Sequence, residues 1–390
     1  MNSVNRSEIL ASVRRVVVKV GSGVLTERNG LNVPVMNALS DDLCALRKQG
    51  KEVLLVSSGA IASGLRKVGM ARRPQSVSQQ QAMAAVGQSS LMHVWEDAFA
   101  HHGQKVAQIL LTRDDLTHRR RYLNARNTLL VLLGWGILPI INENDTVVVD
   151  EIKFGDNDNL GAMVTNLSEA HLLVNLTDID GLYDKDPRTH EDASLVSVVD
   201  RITREMLDHA SGIPGFLGTG GMASKIRAAE KVAHGGVASI IANGLRPGIL
   251  SRIFQGEDEG TLFLPRDLPL CSRKHWIAFT KAPKGALRID GGAQDAILNH
   301  GKSLLPSGIQ EVRGRFSLGD KVALVDASDH ELAVGMVNYH SGDIRKIMGL
   351  KTGEIEGALG FKHDDEVIHR DNLVLTKDLE EEDGICRLTK

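Results

Sequence analysis

The sequence predicts an α/β protein: a three-layer αβα sandwich with a mostly parallel sheet, followed by a small, mainly β C-terminal domain. Apolar runs rich in β-branched residues alternate with amphipathic segments through the first two thirds of the chain. Such alternation is typical of a parallel sheet with helices on both faces. This alternation ends near residue 265, and Pro265, Pro269 and Pro283 interrupt the stretch that follows. Short strands separated by glycine and polar turns follow, as in small β domains.

The strands of the predicted sheet are nearly continuous apolar runs, as strands buried on both faces require. They are residues 14–20, 52–58, 105–111, 136–141, 171–177 and 238–244. The helices between them carry an apolar face and cover residues 33–48, 79–100, 122–134, 159–170 and 222–234. Two strands are predicted in the small domain, at 321–326 and 331–339. We therefore divide the chain into residues 1–270, a junction at 271–283, a small domain at 284–375 and an acidic tail at 376–390.

The composition excludes several classes of protein. Of 390 residues, 42% are hydrophobic and 24% charged, and the net charge of −3 gives no strong field toward nucleic acid or membrane. No apolar run has the length of a membrane span, and the N-terminus lacks the apolar core of a signal peptide. Cys44, Cys271 and Cys386 are far apart and match no metal spacing. We expect a cytoplasmic protein without a membrane partner.

The stretch KFGDNDNL, residues 153–160, packs four short acidic or amide side chains together. It begins like a calcium loop, but Leu160 and Leu167 occupy two positions where such a loop needs oxygen ligands. Apolar residues at helical spacing follow, so Asn157 or Asp158 is the expected N-cap of a helix. One cap needs only one such residue. We therefore expect the others to contact a ligand.

Two glycine-rich segments each carry a lysine suited to phosphate. Lys19 ends the first predicted strand and is followed by Gly21 and Gly23, where backbone N–H groups can turn toward an anion. The alternative is an ordinary glycine turn with a lysine that reaches solvent. The loop FLGTGGMASK, residues 216–225, runs into a helix whose N-terminus favours an anion. Lys225 falls in the first turn of that helix, where a cation is unfavourable unless an anion compensates it.

Polar residues also end two other predicted strands, at the sheet edge where ligands of such folds bind. Thr177 and Asp178 suit contact with a nucleotide, and Asp145 suits a substrate ammonium. Two cationic phosphate sites beside carboxylate-rich turns suggest phosphoryl transfer by positioning and charge neutralisation. A carboxylate acceptor is already ionised near neutral pH and needs no general base.

These motifs resemble the glutamate 5-kinase family of the amino acid kinase superfamily over nearly the whole chain. The resemblance is carried by VVKVGSGVLT, VSSGAIASG, AAVGQSSLM, LTRDDL, YLNARNTL, INENDTV, EIKFGDNDNL, LTDIDGLYDKDP and GTGGMASK. GKSLLPSGI, VRGRFSLGD and VIHRDNLVL resemble the PUA domain appended to bacterial members. The resemblance implies the amino acid kinase fold in residues 1–270. It also implies ATP-dependent phosphorylation of the γ-carboxylate of L-glutamate, the first step of proline biosynthesis.

The resemblance also implies roles for individual residues. Lys19, Lys225 and Asp158 are expected to be catalytic, with Asp158 holding the lysines in place. The expected glutamate ligands are Ser58, Asp145 and Asn157. The expected ATP site consists of Lys19, Thr177, Asp178, Thr219, Gly220, Gly221, Met222, Ala223, Ser224 and Lys225, with Mg²⁺ bound through the ATP phosphates and no metal ligand from the protein. Asp156 and Asn159 receive no role.

The chain departs from the family pattern at two positions. Gly23 stands where serine or threonine is expected, and Ser224 stands where threonine is expected. These departures affect only the side-chain hydroxyl contacts at the two positions. Within the superfamily, kinases of aspartate, acetylglutamate or a nucleoside monophosphate are the alternative.

The resemblance further implies a homo-oligomer, a dimer or tetramer, and feedback inhibition by proline. Because PUA domains elsewhere bind RNA, an RNA-binding protein is a rival interpretation. From Lys284 to the end, 14 Lys and Arg stand against 19 Asp and Glu, a net charge of −5, which argues against RNA.

Overall fold

A computed structural model of the protein describes residues 6–27, 30–70, 72–147, 157–211, 221–266, 277 and 282–376. The chain forms two compact units, Met1–Pro269 and Leu270–Lys390. Among the described residues, no helix has both the length and the apolar character needed to cross a membrane.

The larger unit is built on an eight-stranded sheet in the order β5-β6-β4-β1-β7-β9-β10-β8, with β2 and β3 forming a separate two-stranded sheet. The strands are β1 Arg15–Val20, β2 Thr26–Glu27, β3 Gly30–Leu31, β4 Glu52–Ser57, β5 Val106–Leu111, β6 Leu138–Glu143, β7 Leu172–Thr177, β8 Val198–Val199, β9 Ala238–Asn243 and β10 Thr261–Phe263. From β5 to β9 the sheet is parallel, and β10 is antiparallel to β9. The six predicted strands are confirmed to within two residues. The sequence does not reveal β8 and β10 because runs this short carry no pattern.

Helices cover both faces of the sheet. They are Arg6–Ser12, Ser22–Leu25, Val33–Lys48, Ala60–Val68, Val77–Ala100, Arg113–Thr117, Arg119–Gly134, Asn157–Leu167, Arg204–Ser211, Met222–Ala233 and Ile249–Phe254. The five predicted helices are confirmed. The helix Ala60–Val68 was not predicted, because it follows the turn residues Ser-Ser-Gly and contains a glycine itself.

Alternate residues of β1 enter the two helical layers. Val16 and Val18 belong to the cluster that includes the helices Val33–Lys48 and Val77–Ala100. Val17 belongs to the cluster on the opposite face, with the helices Asn157–Leu167 and Met222–Ala233. Because strand side chains alternate with a period of two, Lys19 projects to the same face as Val17. The strand therefore aims a lysine at the layer formed by these last two helices.

The helices Ala60–Val68 and Val77–Ala100 meet at two glycines. A Cβ atom at Gly64 would lie 1.9 Å from the carbonyl oxygen of Met83, and one at Gly87 would lie 1.8 Å from that of Ala60. Any side chain here would collide with backbone, so glycine is required for the close approach.

The smaller unit contains a five-stranded sheet in the order β12-β11-β13-β14-β15. The strands are β11 Gly285–Ile289, β12 Ile309–Gly314, β13 Lys321–Val325, β14 Glu331–Met336 and β15 Leu373–Leu375. The helices are Gly291–Leu298, Ser341–Ile347 and Ile355–Leu359, with 3-10 turns at Pro306–Gly308, Thr352–Glu354 and Arg370–Asn372. The two predicted strands are confirmed as β13 and β14, and the mainly β character of this unit is confirmed with them.

Replacing Gly87 by alanine is expected to lower the free energy of unfolding of the larger unit by about 1–3 kcal/mol, because the new methyl group meets backbone. Gly134→Ala is the control, since a Cβ atom there meets nothing within 4 Å. It should be neutral or stabilise the helix by up to about 1 kcal/mol. Urea unfolding followed by circular dichroism measures both, and equal stabilities would contradict the close packing.

Candidate active site

Polar residues gather at the carboxyl ends of four neighbouring strands, which is where ligands of parallel α/β sheets bind. Lys19 lies near the end of β1, and Ser58 follows β4. Asn142 and Thr177 lie at the ends of β6 and β7. Because these strands are adjacent in the order β6-β4-β1-β7, residues far apart in sequence share one edge of the sheet.

The centre of this edge is the Asp158 carboxylate, which pairs with two lysines. The ammonium group of Lys19 contacts Oδ1, and that of Lys225 lies 3.3 Å from Oδ2. The side chains of Asp158, Lys19 and Lys225 are only 1%, 5% and 7% exposed. The structure therefore brings the three predicted catalytic residues together in one buried cluster.

Two neutral side chains complete the shell of Asp158. Asn175 Nδ2 donates to Oδ1 over 3.0 Å, and the Ser224 hydroxyl donates to Oδ2. Asn175 lies beside Lys19 in the register of β7 and β1. Sequence reasoning missed Asn175, although a lone amide in the otherwise apolar run LLVNLT was a usable signal. Each carboxylate oxygen thus accepts from one lysine and one neutral group.

The environment keeps Asp158 ionised. Burial acts to raise the pKa of its carboxyl group, since it disfavours the charged form. The ammonium groups of Lys19 and Lys225, and the hydrogen bonds from Lys19 and Ser224, outweigh burial and hold the pKa well below its ordinary value. A carboxyl group with this pKa carries a full negative charge at any working pH.

Local structure places the cluster. Asp158 lies in the first turn of Asn157–Leu167, where a negative charge is favourable. A Cβ atom at Gly161 would lie 3.3 Å from Lys19 Cβ, so the glycine lets this helix approach β1 closely. The predicted N-cap is wrong, because the helix already begins at Asn157. Lys225 lies in the first turn of the helix Met222–Ala233, where a cation is unfavourable, and Asp158 is the anion that compensates its charge.

A second polar group lies beside the cluster. Asn157 Nδ2 shares its two hydrogens among three acceptors, Ser58 Oγ at 2.8 Å, the Ser57 carbonyl oxygen at 3.2 Å and Asn142 Oδ1 at 3.1 Å. Two of the predicted glutamate ligands, Ser58 and Asn157, are therefore in direct contact. The third, Asp145, is partly buried in the turn after β6.

Metal ligands are not grouped in the described part of the chain, where no three His, Cys, Asp or Glu side chains come together as a metal site would need. The predicted residues Thr219 and Gly220, and the unassigned Asp156, lie outside the described residues. Asn159, also unassigned, accepts a hydrogen bond from Lys231.

Comparisons with known proteins agree with this architecture. The amino acid kinase family profile matches residues 14–243, and the PUA domain profile matches residues 285–359. The chain is 53% identical over 371 residues to the glutamate 5-kinase of Geobacter sulfurreducens, which covers 95% of this chain and 100% of that protein. It is 55% identical to that of Citrifermentans bemidjiense, with the same coverage. The chain belongs to the glutamate 5-kinase family of amino acid kinases.

Membership of the glutamate 5-kinase family confirms the resemblance carried by the sequence motifs. It also confirms the amino acid kinase fold, accompanied by a C-terminal PUA domain. Among solved structures, UMP kinase from Bacillus anthracis matches with a TM-score of 0.45 and 15% identity, covering 66% of this chain and 98% of that one. The fold assignment rests on the sheet topology and the family profiles.

Two residues predicted from the family for the nucleotide, Thr177 and Asp178, lie at the end of β7, the neighbour of β1 on the side away from β4. Thr177 is buried, and its hydroxyl donates to Asp178 Oδ1 over 3.1 Å. A Cβ atom at Gly23 would lie 3.0 Å from the Asp178 carboxyl carbon, so Asp178 faces the glycine turn after β1. At this departure from the family pattern, a larger residue would press on Asp178.

The N-cap and first turn of the helix Met222–Ala233, which follows the glycine-rich loop, contribute further described residues predicted for the nucleotide. Gly221 is its N-cap, and Met222 is buried in a hydrophobic cluster against which Ala223 packs. The hydroxyl of Ser224 is engaged by Asp158.

Asp158→Asn is expected to lower the free energy of unfolding by about 3–5 kcal/mol at pH 7, because it removes the buried charge between two lysines. The folded pKa of Asp158 is depressed, so its contribution is full above the unfolded pKa of about 3.9 and is lost as pH falls further. The difference in free energy of unfolding between wild type and variant, called the gap below, should therefore be constant from pH 7 to 5 and become smaller below pH 4.

Urea unfolding across this pH range measures the gap. Asp97→Asn, at a side chain that is 65% exposed, is the matched control and should change stability by less than about 0.5 kcal/mol. A gap that stays constant down to pH 3 would contradict the ion-pair account.

Proposed function

We propose that the protein transfers the terminal phosphoryl group of ATP to the γ-carboxylate of L-glutamate. The products are ADP and L-glutamyl 5-phosphate, and the reaction begins proline biosynthesis. The observation that carries the proposal is the buried Lys19–Asp158–Lys225 cluster at the carboxyl edge of the sheet. The names of the relatives, glutamate 5-kinases of 50% identity or more, support the choice of acceptor.

The two lysines are suited to stabilise a phosphoryl group in transfer. During in-line transfer, negative charge spreads over the phosphoryl oxygens, and fixed cations stabilise it without reorganising. Asp158 holds both ammonium groups in place, since each of its oxygens contacts one of them. In this proposal Lys19 contacts the ATP phosphates and Lys225 stabilises the transferring group.

The chemistry needs no general base. The γ-carboxylate of glutamate is ionised near neutral pH and attacks phosphorus directly. Asp158 is unsuited to take a proton, because its depressed pKa and its two ammonium partners keep it ionised. It is therefore a positioning residue, and catalysis depends on proximity and electrostatics.

We assign the nucleotide to Lys19, to Thr177 and Asp178 beside it, and to the predicted residues 219–225. Mg²⁺ enters as part of the nucleotide substrate, bound through its phosphates. The carboxylate between the two lysines, Asp158, is engaged by both of them and is assigned no role as a metal ligand.

We assign L-glutamate to Ser58, Asp145 and Asn157. The contact between Asn157 and Ser58 supports a shared site, and the Asp145 carboxylate is suited to the substrate ammonium. A homo-oligomer, either a dimer or tetramer, and inhibition by proline remain predictions from the family. A cytoplasmic location remains a prediction from the sequence. No RNA ligand is proposed.

The acceptor is tested by trapping the acyl phosphate with hydroxylamine. With MgATP and purified full-length protein, glutamate should give hydroxamate, while aspartate and N-acetylglutamate should give far less. ADP release with uridine monophosphate tests the nucleotide-kinase alternative. A preference for any acceptor over glutamate would overturn the proposal.

Lys225→Ala is expected to lower kcat by about 10²–10³-fold, as loss of one preorganised charge donor does. Lys48→Ala removes an exposed lysine from the helix Val33–Lys48 and should leave kcat unchanged. ADP release at saturating substrates measures both, after circular dichroism shows that the variants are folded. A kcat within twofold of wild type for Lys225→Ala would exclude its catalytic role.

A further inference from the structure

Three side-chain amides form a chain of hydrogen bonds at the acceptor side of the site. Gln88, on the helix Val77–Ala100, accepts from Asn142 Nδ2 over 2.8 Å. Asn142 Oδ1 in turn accepts from Asn157 Nδ2 over 3.1 Å. Gln88 was not among the residues predicted from the sequence, although it lies within the motif AAVGQSSLM.

Backbone groups fix the orientation of the Asn142 and Asn157 amides, and Asn142 in turn fixes that of Gln88. The Glu143 N–H donates to Asn142 over 2.9 Å, so that atom is the oxygen and Nδ2 must face Gln88. Gln88 therefore presents its oxygen to Asn142 and turns Nε2 away. Likewise, Asn157 faces the Ser57 carbonyl with its nitrogen. No flip of a single amide would preserve these bonds.

Within the part of the protein that the structure describes, the two buried atoms at the ends of this hydrogen-bonded series, Gln88 Nε2 and Asn157 Oδ1, have no hydrogen-bond partner. One is a donor and the other an acceptor. A buried polar group without a hydrogen bond is energetically unfavourable, so such groups in a site are expected to meet a ligand. The complementary ligand offers an acceptor to Gln88 and a donor to Asn157.

We propose that Gln88 is a further substrate-binding residue, whose Nε2–H donates to the α-carboxylate of the amino acid acceptor. This inference rests on the proposed function. An α-amino acid has the required pair of groups, since its carboxylate accepts only and its ammonium donates only. The ammonium is then shared between Asn157 Oδ1 and the carboxylate of Asp145.

The position of Gln88 in this series of hydrogen bonds decides which of the two carboxylates of the substrate it binds. Asn157 adjoins Asp158, which holds the lysines of phosphoryl transfer. Gln88 lies two hydrogen bonds beyond Asn157, through Asn142. The γ-carboxylate must lie at the lysines to react, so the donor at the far end meets the α-carboxylate.

The helix packing holds Gln88 in place. Its neighbour Gly87 lies so close to the helix Ala60–Val68 that a Cβ atom would be 1.8 Å from the Ala60 carbonyl oxygen. Such close packing leaves little freedom for the helix to rotate or slide. Gln88 is therefore preorganised to select an acceptor that carries an α-carboxylate.

The first test replaces Gln88 in the full-length protein and compares the KM values for both substrates. Gln88→Met keeps the length of the side chain but has no donor. It should raise the KM for glutamate by about 10–100-fold, as loss of a hydrogen bond to a charged group does, and leave that for MgATP unchanged. Gln79→Met, at an exposed position on the same helix, is the control and should change neither.

The second test reverses the polarity of the contact. L-glutamic acid α-amide keeps the γ-carboxylate but has an amide N–H₂ in place of the α-carboxylate oxygen. Wild type should prefer glutamate to this amide at least tenfold in kcat/KM. In Gln88→Glu, one carboxylate oxygen still accepts from Asn142 while the other accepts from the amide. We expect the preference to invert in this variant, and to vanish in Gln88→Met.

The outcomes separate this inference from the proposed function. If wild type does not phosphorylate glutamate, the proposed function fails. If wild type does so but the Gln88 variants keep its KM and its preference between glutamate and the amide, only the assignment of Gln88 fails. A variant that loses thermal stability while its KM for glutamate is unchanged would show that Gln88 only supports Asn142 structurally, which also overturns the inference.

Discussion

The buried Asp158 carboxylate is the constraint on which the rest of the larger unit depends. Two lysines from different elements, Lys19 on β1 and Lys225 on a helix, meet at its two oxygens. A buried ion pair is weak evidence of stability, because desolvation of the charges offsets most of their attraction. Its value here is geometric, since one carboxylate fixes two cations that would otherwise repel each other. Strand register, helix start and the glycine contact at Gly161 all serve to bring these charged groups together.

The sheet explains how such a cluster forms at an edge. Parallel strands place their carboxyl ends side by side, so β6, β4, β1 and β7 deliver polar residues to one line. The interior of each strand is apolar, and each helical layer packs against it. Asn175 marks the boundary, since it lies one layer deeper than the strand end and yet bonds Asp158. The apolar core therefore ends at a layer of hydrogen-bonded polar side chains at the carboxyl ends of these strands.

Much of this was accessible from the sequence, and the exceptions have physical reasons. The long apolar runs revealed six strands because burial on both faces leaves a clear signal. Strands of two or three residues, such as Val198–Val199, carry none. Lys19, Asp158 and Lys225 were found through family motifs. For Lys225, the unfavourable position of a cation in the first turn of a helix was a further signal. Gln88 was missed because its contacts are tertiary and its motif carries no local signal of them. For Asn175, the lone amide within a buried strand was the one usable signal, but its partner Asp158 is defined only by the tertiary fold.

The polar density of KFGDNDNL follows from the same geometry. Successive residues of an α-helix point about 100° apart, so a helix that starts at the site edge faces a different partner with each residue. Asn157 meets Ser58 and Asn142, while Asp158 meets the two lysines. Asn159 meets Lys231. In the proposed function, one turn of helix thus joins the acceptor side to the phosphoryl-transfer side. Any shift of this helix would move Asn157 and Asp158 together, so the proposal couples binding of the acceptor to the placement of the two lysines.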